Sequence, residues 1–443
     1  MSQEKTPGVY LQEVSAFPNS IVEVATAVPV FIGYTEKAED ASKSLSGIPT
    51  RLTSLLEFRR YFGTGPGQRF SFDLSSTGKT QITPTQTTRF NLYNSMRLFF
   101  DNGGGPCWIV SVGSYDDVKK PNAFGDKVWE TLTALPEITL VVMPDAVLMP
   151  TAKDFKAIWD RAFAHCRDMR NRMAILDVYN GDQARSHDAA DVISGDQGFR
   201  RLLSTAALQF GVAYYPWLNT NLYAIADVSY QNLDEASKTK LADHVTAEFA
   251  GETLPQEHKD TIAALVTALQ GVDQSDTLSR KTHDALSKAS KRYKETMAHI
   301  LQAVNLLPPS AAMAGIYARI DSNHGVFKPP ANCSVFSVTS PSVVTTHDDQ
   351  EDLNTPLDGM AVNAIRSFTG RGVLVWGART LDGNSQDWRY VNVRRTLIML
   401  ERSIAMAVQA YVFEPNDAST WAAVRTMIEN FLTNQWKVGA LAG

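Results

Sequence analysis

An enzyme needs a nucleophile beside a base, a metal site needs clustered ligands, and a phosphate loop needs glycine before lysine. The candidates in this 443-residue chain fail those tests of spacing. Gly63-Thr-Gly-Pro-Gly67 and Asn102-Gly-Gly-Gly105 are glycine-rich, but neither leads into Lys-Ser/Thr or fits a dinucleotide fingerprint. His347 stands before Asp348, Asp349, Gln350, Glu351 and Asp352, a run that could gather a hard cation. It lacks the central glycine and closing glutamate of a calcium loop, so a solvated loop is expected. The eight histidines form no His-x-Glu or His-x-x-x-His pair, and the three cysteines no Cys-x-x-Cys. Cys166 follows His165 directly, and adjacency alone does not make a papain-like pair. No catalytic, cofactor or metal site is therefore expected. Arg394, Arg395 and Arg402 could hold an anion, although partners across a subunit interface or at the rim of the core suit them better.

Length and composition set the frame. The chain is long enough for two or three domains and a sizeable core. Its 44% hydrophobic and 20% charged residues are ordinary for a globular protein, and a net charge of −5 gives no reason to expect nucleic acid. Cys107, Cys166 and Cys333 are sparse and unpatterned, which argues for folding in a reducing compartment. The opening Met-Ser-Gln-Glu-Lys is no secretory signal, and no apolar run approaches the ~20 residues that span a bilayer. Folding in the bacterial cytoplasm is expected, with exit by lysis or as part of a particle, and without membrane insertion.

Apolar periodicity then places the elements. Val373 to Trp376 is an unbroken apolar run that predicts a covered strand. Val393, Leu397, Leu400, Ile404, Val408 and Tyr411 make one helical stripe. Glu414-Pro-Asn-Asp417 stops it, and Trp421, Val424, Ile428, Phe431 and Trp436 repeat the spacing in a second helix packed on the first. Upstream, Thr26 to Gly33 reads as the first core strand, with Pro29 at an edge or a strand start. Leu52 to Phe62 and Phe90 to Phe100 read as helices, the stretch 63–88 between them as a surface loop or hairpin, and Cys107 to Val112 as a buried strand. Helices over 128–135, 155–172 and 199–208 alternate with strands over 139–143, 173–178 and 212–216. The fold class is α/β (α+β mixed), a mixed sheet flanked by helices. Ser337 to Asp358 reads as a polar linker.

Three stretches carry a family resemblance. Phe368-Thr-Gly-Arg-Gly-Val-Leu-Val-Trp-Gly-Ala-Arg-Thr-Leu381, Trp388-Arg-Tyr-Val-Asn-Val-Arg-Arg395 and Val412-Phe-Glu-Pro-Asn416 resemble, in order, the carboxy-terminal domain of tail sheath proteins. Those are the subunits of contractile phage tails, R-type bacteriocins and extracellular contractile injection systems. Pro7-Gly-Val-Tyr10 is similar to the family's amino-terminal arm, which implies a linking strand carried by Val9, Tyr10, Leu11 and Val14. In the resemblance Tyr214–Leu218 and Leu307–Arg319 are nearly adjacent, whereas here the polar, helically patterned 221–303 separates them. The expected organisation is an arm over 1–20, a first core part with a polar surface loop over 21–112, and a middle α/β domain over 113–220. An inserted helical subdomain over 221–303 then faces outward, before a carboxy-terminal core over 304–443. The family's further carboxy-terminal arm is absent from this sequence.

The resemblance implies a structural subunit. Such chains stack as hexameric rings around an inner tube and contract to drive it through a target envelope. The implied partners are further copies of the chain, the tube protein, and baseplate and cap proteins, with other sheath paralogues possible. Arg394, Arg395, Arg402, Arg425 and Glu429 are the candidate interface or tube-facing residues. Two other readings stand beside this one: a specialised sheath paralogue at the baseplate or cap, and an α/β hydrolase-like enzyme with a pocket at the strand ends. The missing nucleophile–base signature counts against the enzyme.

Overall fold

The run Pro29–Thr35 is buried at every position and lies inside a nine-stranded sheet, third from one edge. The computed structural model describes residues 20–250, 255–271 and 276–442. They divide into two units, one of Thr26–Arg395 and one joining the described part of Met1–Ala25 to Thr396–Gly443. The arm residues Val9, Tyr10, Leu11 and Val14 lie outside the described residues.

In the larger unit the sheet order is Cys333–Ser334, Gly372–Val375, Asn363–Phe368, Gly211–Tyr215, Met173–Asp177, Leu140–Val142, Pro29–Thr35, Cys107–Ser114 and Thr50–Leu52. The central strands pair in parallel, while Gly372–Val375 and Thr50–Leu52 pair antiparallel. Pro29 opens its strand, where a missing N–H costs least. The strand is interior, so the strand-start reading holds and the edge reading does not. Helices Leu92–Asp101 and Ser310–His324 pack on each other and on these strands. Gly315 makes that approach possible, because a Cβ there would collide with the Phe99 carbonyl. Helix Ala152–Met169, capped by Thr151, buries Phe155, Ile158, Trp159 and Phe163.

The sequence-based boundaries shift in three places. Leu52 belongs to a strand, and its helix starts at Leu55. The helix expected over 199–208 is a single turn, Phe199–Leu202. Ser337 to Asp358 is not a linker. It holds strand Val338–Pro341 and helix His347–Asn354, whose capping box pairs Thr346 with Asp349. The acidic run is thus a helix with Asp349 buried rather than a solvated loop.

The stretch 63–88 is a hairpin of Phe70–Leu74 and Thr80–Pro84. Its inward residues Phe70 and Phe72 share a core with Tyr230, Leu241, Tyr293 and Met297 of the stretch 221–303. Helices Glu235–Phe249, Gln256–Gln270, Asp276–Ala289 and Lys291–Val304 make up most of that segment. The Phe72 amide donates to Ser237 Oγ at 2.8 Å, and the Asp234 amide to the Phe70 carbonyl at 3.0 Å. Two stretches far apart in sequence therefore fold as one accessory module.

Candidate functional site

Charge pairing inside the larger unit decides which polar residues are available to a partner. Arg395 is 4% exposed, and its guanidinium grips both Asp321 carboxylate oxygens, one at 2.9 Å. It also donates to the Thr26 carbonyl at 3.0 Å and lies over the Tyr317 ring. Arg394 is equally buried, between Phe210 and Trp388 at 4.6 and 4.5 Å from the ring centroids. These contacts hold both side chains inside the larger unit. Val393, expected in the apolar stripe of this helix, is exposed.

The other candidates lie on the smaller unit. Arg402 is partly exposed in helix Val391–Val408. Arg425 donates to Glu429 at 2.7 Å across one turn of helix Ala418–Lys437, and both side chains are well exposed. Beside them Trp421, Val424 and Ile428 line a shallow apolar groove. Trp421 is 62% exposed and Phe413 fully so. Within this unit the Val24 amide donates to Ser403 Oγ at 3.0 Å, and Gln435 to Glu23 at 2.6 Å. Because water screens an exposed i,i+4 pair and it contributes little, Arg425→Ala should leave the melting temperature nearly unchanged. A large drop on thermal melting would assign the pair a structural role.

A second network escaped sequence reasoning. Arg185 donates to Asp191 at 2.9 Å and to Asp352 at 3.0 Å, while Arg200 reaches Asp352 at 3.1 Å and the Met360 carbonyl at 2.9 Å. Both arginines are buried. Asp191 also accepts four backbone amides, from Ser186, His187, Ile193 and Ser194. Burial works against its charged form, yet these donors hold its carboxyl well below the usual range. The network pins the irregular 180–202 stretch to helix His347–Asn354. Thr346-x-x-Asp349 was the one sequence signal for that helix.

The catalytic candidates are unsuited to chemistry. Cys166 is fully buried and its thiol is pushed up to about 12 by burial, while His165 is lowered to about 4 by burial and by Arg172, 3.0 Å away. A thiolate–imidazolium pair cannot form there at neutral pH. Asp177 is buried too, accepting from the Ser310 amide at 2.7 Å and from its hydroxyl, and burial pushes it up to about 7. It fastens the start of helix Ser310–His324. A raised folded value means stability that is complete below the ordinary carboxylate range, near pH 4, and is lost as pH rises through about 7. Asp177→Asn should therefore flatten the pH dependence of the melting temperature between about pH 4 and 7. An unchanged slope would place its origin elsewhere.

Residues 384–443 match the family model of the phage tail sheath C-terminal domain. The tail sheath protein of Salmonella phage ViI is 22% identical over 374 residues, 74% of this chain. The chain spans 57% of that relative's length. Among solved structures, the contracted helical sheath of the anti-feeding prophage is similar over 100% of this chain and 86% of its own, at 26% identity and a TM-score of 0.57. A chain of the sixfold-symmetrised baseplate of the same particle is similar at 26% identity and a TM-score of 0.55, with the same coverage.

Proposed function

We propose that this chain, a relative of the tail sheath proteins, is a structural subunit of a contractile sheath. Its copies stack as hexameric rings around an inner tube and contract to drive that tube through a target envelope. The observation that carries this reading is the likeness, along the whole chain, to a subunit of a contracted helical sheath. The exposed Trp421 and Phe413 support it, since apolar surface of that kind is covered by assembly. Among the described residues no helix is long and apolar enough to cross a membrane. The particle would be assembled in the bacterial cytoplasm and released with its baseplate and cap.

Contraction needs a lattice that gains surface burial when triggered, at about 25 cal/mol per Å² of apolar area. Modest gains per subunit then sum along the sheath. In this reading residues 1–20 link one subunit to the next through Val9, Tyr10, Leu11 and Val14, and the module of the 63–88 hairpin and residues 221–303 faces outward. Arg402, Arg425 and Glu429 meet the tube or a neighbouring subunit. The buried Cys166 and His165 support a non-enzymatic role.

Negative-stain electron microscopy of the purified chain, alone and with its tube protein, tests the proposal. Hollow cylinders of stacked rings are expected. Dispersed monomers in both preparations would reject it, and isolated discs would favour the baseplate paralogue that the baseplate likeness suggests. Deleting Met1 to Ser15 should abolish the cylinders while leaving the melting temperature of the monomer unchanged. Intact cylinders from the truncated chain would remove the arm from the mechanism.

A further inference from the structure

The carboxyl ends of the parallel strands open onto a cavity of about 820 Å³. It lies where the sheet reverses its direction of growth. From the interior strand Pro29–Thr35 the chain passes to Cys107–Ser114 on one side, then returns to Leu140–Val142 on the other. In open α/β sheets the loops diverge at such a point and leave a crevice outside the strand ends, the usual place for a ligand. Here the walls come from the segments that follow four strands, with Lys119, Met149, Tyr179 and Trp217 among them, and from Arg89 on a separate loop. The volume lies within the range of small-molecule sites.

Two cations face this space without a counter-charge in contact. Lys119 is 8% exposed, and its ammonium donates to the Gln86 carbonyl at 2.5 Å and sits 3.8 Å from the centroid of the Phe90 ring. No carboxylate of the described residues lies within ion-pair distance of it. Arg89 is partly buried, with its guanidinium over the Trp217 ring at 5.3 Å, and it too is in no ion pair among the described residues. Trp217 is itself fixed by donating to the Val178 carbonyl at 3.0 Å. Asp117 also lines the cavity, but its carboxylate is engaged by the Ser114 amide and hydroxyl. Asp116 and Asp182 complete the acidic part of the lining. A buried cation without a paired anion is costly, and an incoming anion relieves that cost. Burial lowers the Lys119 ammonium to about 8, against the pull of the buried Asp145 carboxylate and helped by the like charge of Arg89, while Asp182 is the carboxylate that acts on Arg89.

We propose that this cavity binds a small molecule bearing a phosphate or carboxylate group, with Lys119 and Arg89 as its anion contacts and Trp217 as the platform that positions Arg89. This goes beyond the sheath reading and does not depend on it, because the groups concerned belong to one chain.

The test is thermal melting of the full chain titrated with sodium phosphate and with sodium citrate, against sodium chloride at matched ionic strength. A saturable rise in melting temperature with phosphate or citrate, absent with chloride, is expected. The midpoint should weaken roughly tenfold or more in Lys119→Met and in Arg89→Met, and be kept in Lys119→Arg and in Arg425→Ala. A rise that follows ionic strength alone, or a midpoint unchanged in Lys119→Met, overturns the proposal. Should the methionine variants not fold, the wild-type chain still decides: the citrate midpoint should weaken from about pH 7 to about pH 9.5 as Lys119 loses its proton. A midpoint constant over that range also overturns it.

Discussion

Replacing Arg395 by alanine is expected to destabilise the isolated chain by roughly 3–5 kcal/mol, because it leaves the Asp321 carboxylate buried and uncompensated. Asp321 is held by nothing else of opposite charge among the described residues, and its remaining side-chain partner is the Thr26 hydroxyl. The pair is almost fully buried, with side chains 4% and 8% exposed. It therefore joins the entry to the first core strand, helix Ser310–His324 and the first turn of helix Val391–Val408. The double variant Arg395→Met with Asp321→Leu should recover much of the loss, since well-packed apolar groups replace a buried ion pair at little cost. Denaturant unfolding of the unaltered chain and of the two variants measures this. A loss below about 1 kcal/mol for Arg395→Ala, or a double variant no better than the single, would show that the pair is not what holds these three elements together.

Phe72→Ala is expected to cost about 3–5 kcal/mol as well, but locally. The ring fills the accessory module from the hairpin side and meets the His244 ring edge-on at 5.8 Å. Its removal should open the module without melting the nine-stranded sheet, since the two bury separate cores. Hydrogen exchange and limited proteolysis separate the outcomes. Cleavage inside residues 221–304 with protection kept in Pro29–Thr35 and Met173–Asp177 is the expected pattern. Simultaneous loss of protection in those strands would mean that module and sheet unfold as one cooperative body.

Most secondary structure in the larger unit was legible because the signal is local. The strands expected over Thr26 to Gly33 and over 173–178 became Pro29–Thr35 and Met173–Asp177, buried at every residue, as faces covered on both sides require. The stripe through Phe155, Ile158, Trp159 and Phe163 became the buried face of one helix. Where the reading failed, the deciding contact was remote. Helix His347–Asn354 is polar on its own, with Leu353 its one buried apolar residue. What retains it is a capping box and the pairing of Asp352 with Arg185 and Arg200, 167 and 152 residues away. The stretch 63–88 looked like surface because Gly, Ser and Thr dominate it, and the alternation of Phe70 and Phe72 had no visible partner until the helices beyond residue 220 folded against it.

By itself the sequence determined the mixed α/β class, the strand–helix alternation of the larger unit, and the motifs from Phe368 to Asn416 that carry the family resemblance. The tertiary structure alone decided the fate of the charges: Arg394 and Arg395 went inside, Arg425 and Glu429 stayed outside, and Lys119 and Arg89 came to face one cavity. The physical reason is a difference in range. Apolar periodicity reports which face of an element avoids water, and it is written within a dozen residues. The environment of a charge is set by groups brought together from the whole chain, and no local pattern encodes it.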